Sequence, residues 1–77
     1  MICTLADLKP GEAGVVAELL CEGDTRARFL DLGLVPETTV RVAYDGPLGD
    51  PTAYEIRGSL IAIRDEDAQF IRVRRVN

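Results

Sequence analysis

Three stretches alternate apolar and polar residues with a period of two, the signature of half-buried strands. Thr39 to Tyr44 puts Val40, Val42 and Tyr44 on one side. Thr52 to Arg57 does the same with Tyr54 and Ile56, and Phe70 to Val76 sets Ile71 and Val73 against Arg72 and Arg74. Two more runs read as strands. Ala13 to Leu20 is expected to place Val15, Ala17 and Leu19 on one face, and Leu60 to Ile63 follows a two-residue hairpin turn at Gly58-Ser59.

One segment changes period. Thr25 to Leu32 reads as a short helix, with Asp24 as N-cap and Gly33 just past its end. Ala27, Leu30 and Leu34 follow helical spacing, Phe29 and Leu32 widen the apolar face, and Leu34 can fold back as the apolar contact after the glycine. Arg26 and Asp31 fall toward solvent. Leu5 and Leu8 suit a single helical or 3₁₀ turn against the core, and Asp65 to Ala68 suits another. Between these elements lie turn residues: Pro10-Gly11, Val35 to Thr38, and Asp45 to Pro51 with its two glycines and two prolines. Five short strands, one short helix and close turns predict a small antiparallel barrel whose interior is filled by its own side chains.

Composition narrows the chemistry. The 77 residues are enough for a single domain, residues 1–77. Apolar residues make up 47%, which is globular, and aromatics only 5%, so the core is aliphatic. Thirteen acids against nine bases give a net charge of −4, which argues against nucleic acid or an anionic membrane held by bulk charge. No apolar run is long enough to insert in a membrane. Histidine is absent, and the only cysteines are Cys3 and Cys21. That inventory cannot complete a four-ligand zinc site or a His-based catalytic centre, so neither metal nor cofactor is expected. Asp65, Glu66 and Asp67 are consecutive and diverge around a helix, so they read as a solvated helix start.

The run Arg28-Phe29-Leu30-Asp31-Leu32-Gly33-Leu34-Val35-Pro36 resembles the helix-to-turn signature of the FeoA family. So do Gly46-Pro47-Leu48-Gly49-Asp50-Pro51, Ile56-Arg57-Gly58, Ile61-Ala62-Ile63-Arg64, Ala68 and Ile71-Arg72-Val73, in order along nearly the whole chain. The resemblance implies an SH3-like barrel with an inserted helix. It further implies a non-catalytic, cytoplasmic accessory protein of ferrous iron uptake. Such a protein binds the FeoB-type membrane transporter and sits at the inner face of the membrane through it. The family's first turn usually carries Gly after its Pro, where this chain has Glu37. Glu resists positive φ, so a type I turn with an extra negative charge is expected there.

A docking surface is expected on the helix and the Pro-Gly loops: Arg26, Arg28, Leu34, Pro36, Leu48, Gly49 and Pro51. Leu48 reads as either a lid on the barrel end or a contact. Arg72, Arg74 and Arg75, with Arg41, Arg57 and Arg64, read as a positive strip or as partners of Glu55 and other acids. Two alternatives stand beside the adaptor. One is a regulator of the transporter's GTPase domain, with Arg26 or Arg28 supplying charge; the other is a weak metal-binding protein. Weak self-association is a further expectation.

Overall fold

A computed structural model describes residues 1–76. Its elements, in chain order, are β1 (Ile2–Thr4), a 3₁₀ turn (Leu5–Asp7), β2 (Ala13–Leu19), α1 (Gly23–Asp31), β3 (Thr39–Asp45), a 3₁₀ turn (Pro47–Gly49), β4 (Thr52–Ile56), β5 (Ser59–Ile63), α2 (Asp65–Ala68) and β6 (Ile71–Val76). Six strands form one antiparallel sheet in the order β1-β6-β2-β3-β4-β5. The sheet wraps a single aliphatic core built around Val16, Val40, Val42, Ile56, Ile71 and Val73. Its two end strands, β1 and β5, do not pair with each other, so the expected barrel lacks a closing ladder.

The alternating stretches fold as their pattern dictates. Val40, Val42, Tyr54, Ile56, Ile71 and Val73 are all at most 1% exposed. Leu5 and Leu8 are buried in the core as expected. Asp7 fixes the first 3₁₀ turn by accepting from the Thr4 amide (2.9 Å) and the Thr4 hydroxyl (3.2 Å). Helix α1 ends in a Schellman motif. Leu34 N–H donates to the Phe29 carbonyl and Gly33 N–H to that of Leu30, both at 3.0 Å, with Gly33 at φ 101°. Phe29 and Leu34, the apolar pair of that motif, are both buried in the core.

The structure corrects the sequence reading in several places. There is a sixth strand, β1, which exists only by pairing with β6. In β2 the inward residues are Ala13, Val16 and Leu19, not Val15, Ala17 and Leu19. A bulge between Val16 and Glu18 shifts the alternation. A second bulge, between Val42 and Tyr44, turns Tyr44 outward. Helix α1 starts at Gly23 after an extended Glu22, and Asp24 lies inside it instead of capping it. Phe29, rather than Ala27 or Leu30, is its deepest residue.

Two turns also differ. The β4–β5 hairpin turns at Arg57-Gly58, one residue earlier than Gly58-Ser59. Both residues have positive φ, 51° and 82°, as a type I′ turn requires. The Val35–Thr38 turn is not type I. Glu37 adopts φ 75°, and Thr38 N–H donates to the Val35 carbonyl at 3.1 Å, the arrangement of a type II turn.

Candidate docking surface

The β3–β4 connection is rigid at its base and bare at its tip. Gly46 N–H donates to the Pro51 carbonyl (2.8 Å), and Thr52 donates to Asp45 (3.3 Å). A Cβ on Gly46 would lie 2.3 Å from the Pro51 oxygen, so only glycine fits there. At the tip, Leu48 sits at φ 61° with its side chain fully exposed. Leu48 therefore does not cover the barrel end. Gly49 is exposed beside it, and Pro51 is half-buried.

This loop is tied to the helices. Asp50 accepts a hydrogen bond from the Asp65 amide at the start of α2 (3.0 Å). Asp67 of α2 in turn meets Arg28 of α1 at 3.4 Å, and the Arg28 guanidinium lies 5.0 Å from the Phe29 ring centroid. Loop, α2 and α1 thus form a connected series. Between α1 and the end of β5 lies a groove of about 270 Å³, lined by Arg28, Phe29, Leu32, Ala62, Ile63, Arg64 and Asp67. The sequence reading missed this groove. Its walls come from segments that pair neither by period nor by spacing; only the adjacency of Leu32 to Gly33 hinted at an apolar side chain left near the helix end.

The other expected residues are dispersed. Leu34 is wholly buried and offers no surface to a partner. Pro36 is exposed on the Val35–Thr38 turn. That turn is pinned by Glu37, whose amide donates to the Val16 carbonyl (2.8 Å) and whose carboxylate accepts from Arg74 through both oxygens (3.0 and 3.2 Å). The Arg74 hydrogen bond, and then its charge, hold the Glu37 carboxyl below its ordinary value. Arg26 is exposed, with no carboxylate within ion-pair distance among the described residues.

The expected positive strip is largely neutralised. Arg72 meets Glu18 (3.7 Å), Arg74 meets Glu37 (3.0 Å), and Arg75 meets Glu12 (3.8 Å). Arg41 donates to the Gly11 carbonyl at 3.0 Å rather than pairing with Glu55. Arg57 and Arg64, flanking β5, carry no such partner among the described residues.

Among the described residues no group of three or more His, Cys, Asp or Glu side chains gathers to hold a metal ion. Cys3 and Cys21 are free thiols, each half-buried. Among the described residues Tyr54 is the one strongly perturbed group. Burial, then the charge of Asp65 with Asp45 and Asp50 behind it, pushes its hydroxyl up to about 12. The hydroxyl donates to the Leu5 carbonyl at 3.3 Å, and Tyr54 does not line the groove. No helix of the described residues is long and apolar enough to cross a membrane.

Residues 3–75 match the model of the FeoA domain family. Over 69 residues, 90% of this chain, the sequence is 35% identical to a fusion of Fe(2+) transport protein A with the Fe(2+) transporter FeoB from Porphyromonas gingivalis (strain ATCC BAA-308 / W83). The chain spans 8% of that relative's length. The solution structure of FeoA from Chlorobium tepidum superposes with a TM-score of 0.89 at 34% identity, over 96% of this chain and 70% of the other. FeoA from Stenotrophomonas maltophilia, solved in complex with zinc and described as a prokaryotic SH3 domain protein, gives a TM-score of 0.78 at 26% identity. That match covers 91% of this chain and 87% of the other.

Proposed function

Because the chain belongs to the FeoA family, whose members are linked to ferrous iron transport, we propose that it is a cytoplasmic, non-catalytic module that docks on an FeoB-type iron transporter and supports its activity. The observation that carries this reading is the Porphyromonas gingivalis relative, in which a homologous domain is joined to FeoB in one polypeptide. Fusion replaces a bimolecular encounter by a high effective concentration, which has a use where the two parts touch. The surface offered for contact is the Leu48 tip together with α1, the exposed Arg26 and the groove beside Arg28. An unsupported apolar side chain on a rigid loop suits recognition better than chemistry.

The competing role is a GTPase regulator acting through an arginine in trans. Arg28 is engaged with Asp67, which leaves Arg26 to serve that role. The full chain titrated against the isolated cytoplasmic part of an FeoB-type transporter separates the two. Saturable binding with an unchanged rate of GTP hydrolysis is the expected result. Stimulation of about a hundredfold or more, removed by Arg26→Ala, would replace the adaptor with a regulator.

A further inference from the structure

Strand β5 is an end strand of the sheet, and its outer edge is open. The type I′ turn at Arg57-Gly58 makes Ile56 and Ser59 the first hydrogen-bonded pair of the hairpin, followed by Tyr54 with Ile61 and Thr52 with Ile63. The intervening residues, Leu60 and Ala62, therefore turn their N–H and C=O groups away from β4. Neither has another backbone partner among the described residues. Edge groups of this kind are a template for an added strand unless something blunts them. Charged residues, prolines and bulges are the usual devices, and Ser59 to Ile63 contains no proline or charge.

The groove adjoins this edge. Ala62 and Ile63 form one side of it, and Phe29 and Leu32 of α1 form the other. Its volume, about 270 Å³, falls below the roughly 300 Å³ at which small-molecule pockets begin, so it suits side chains of a chain laid along the edge. Charge selects among such chains. Arg57 and Arg64 stand at the two ends of β5 with no carboxylate in ion-pair range among the described residues, in a protein of net charge −4.

From this we infer that the β5 edge and the α1 groove capture an extended segment of a partner protein that alternates apolar and acidic residues, by strand addition. Side chains of an added strand face alternate sides. One set enters on the Ile63 side, toward Phe29 and Leu32, while the other set, on the face shared by Ala62 and Arg64, carries carboxylates to Arg64. This deepens the docking role proposed above by naming the kind of segment recognised.

The probe is a labelled synthetic peptide alternating Val and Glu, with a Val–Lys peptide as its counterpart, added to the full chain. Binding of the Val–Glu peptide should slow amide exchange at Leu60 and Ala62 and leave Ile61, already bonded to β4, unchanged. Ala62→Pro deletes an outward N–H without touching the β4 ladder, so the fold should persist. It should weaken the peptide about tenfold, the scale of one or two net hydrogen bonds. Arg64→Glu, a surface change, should weaken the Val–Glu peptide and favour Val–Lys.

Equal binding of both peptides, no binding of either, or protection elsewhere on the molecule would overturn the inference. So would concentration-dependent protection of Leu60 and Ala62 without peptide, which would assign the edge to a second copy of the chain. The transporter is not in the assay. A failed peptide with intact transporter binding rejects only this inference, and the reverse pattern rejects only the docking role.

Discussion

The Val35–Thr38 turn and the Gly46–Pro51 loop each hold a non-glycine residue at positive φ, Glu37 at 75° and Leu48 at 61°. In the first, the surroundings account for the conformation. Glu37 is tied through its amide to Val16 and through its carboxylate to Arg74. In the second, the backbone closes a turn as well, Gly49 N–H donating to the Gly46 carbonyl at 2.9 Å, but the Leu48 side chain points into water with nothing against it. A left-handed backbone costs an ordinary side chain about 1 kcal/mol or more. Where the fold returns contacts for that cost, the turn is architecture. Where the side chain of the strained residue finds none, a contact outside the molecule is the natural account.

Replacing Leu48 breaks this comparison most directly. Leu48→Asp should leave fold stability within about 0.5 kcal/mol, because the side chain touches nothing and Asp enters the left-handed region more readily than Leu. Binding to the transporter's cytoplasmic part should fall about thirtyfold or more, the scale of a hot-spot residue. Leu48→Gly should lose binding too, while holding or raising stability. Parallel thermal melts and titrations read both. Unchanged affinity in both variants would return the loop to architecture.

Burial, then the charge of Asp65, and more weakly those of Asp45 and Asp50 at the two ends of the same loop, raise the Tyr54 hydroxyl to about 12. The folded value lies above the ordinary 10.0, so the stabilising contribution is intact below pH 10 and is lost as pH rises from 10 toward 12. In that window the unfolded chain ionises and the native one does not. Denaturation midpoints should hold up to pH 10 and then fall. Tyr54→Phe should be less stable by about 1 kcal/mol at neutral pH, because the Leu5 carbonyl loses its donor, and should show a shallower alkaline fall. A parallel alkaline profile in the two proteins would mean the hydroxyl does not govern it.

The contrast between the two loops was only half legible in the sequence. The alternation of β3, β4 and β6 follows from one face meeting the core, and the Gly33-Leu34 helix end follows from a motif local to the chain. Both could be read without tertiary information. The bulges at Val16–Glu18 and Val42–Tyr44 insert a residue wherever the sheet must bend, and no local pattern announces them. Strand β1 spans three residues, too few to show a period, and depends on β6 for its bonds. Glu37 and Arg57 adopt backbone conformations their side chains disfavour, so a reading by residue preference misplaces both turns. The docking residues divide the same way. Leu48's isolation between Gly and Pro was visible, but the burial of Leu34 and the groove between α1 and β5 come from packing of distant segments.

Glu37 gives the smallest and finest test. Its ion pair with Arg74 is exposed, and exposed pairs contribute little. Two substitutions split what remains. Glu37→Ala keeps a Cβ at positive φ and deletes the carboxylate, so it should be the less stable of the two. Glu37→Gly deletes the carboxylate and also relieves the backbone, so it should melt closest to the wild-type protein. The pH dependence follows from the same contact. A carboxyl held below its ordinary value contributes stability above that value, 4.5, and loses it as pH falls through the lowered one. Melting curves taken from neutral toward acid pH should therefore show a slight extra loss in the wild type that Glu37→Gln lacks, reduced by high salt. If Glu37→Ala instead matches Glu37→Gly, the left-handed backbone carries no cost at this turn, and the distinction drawn from Leu48 loses its reference.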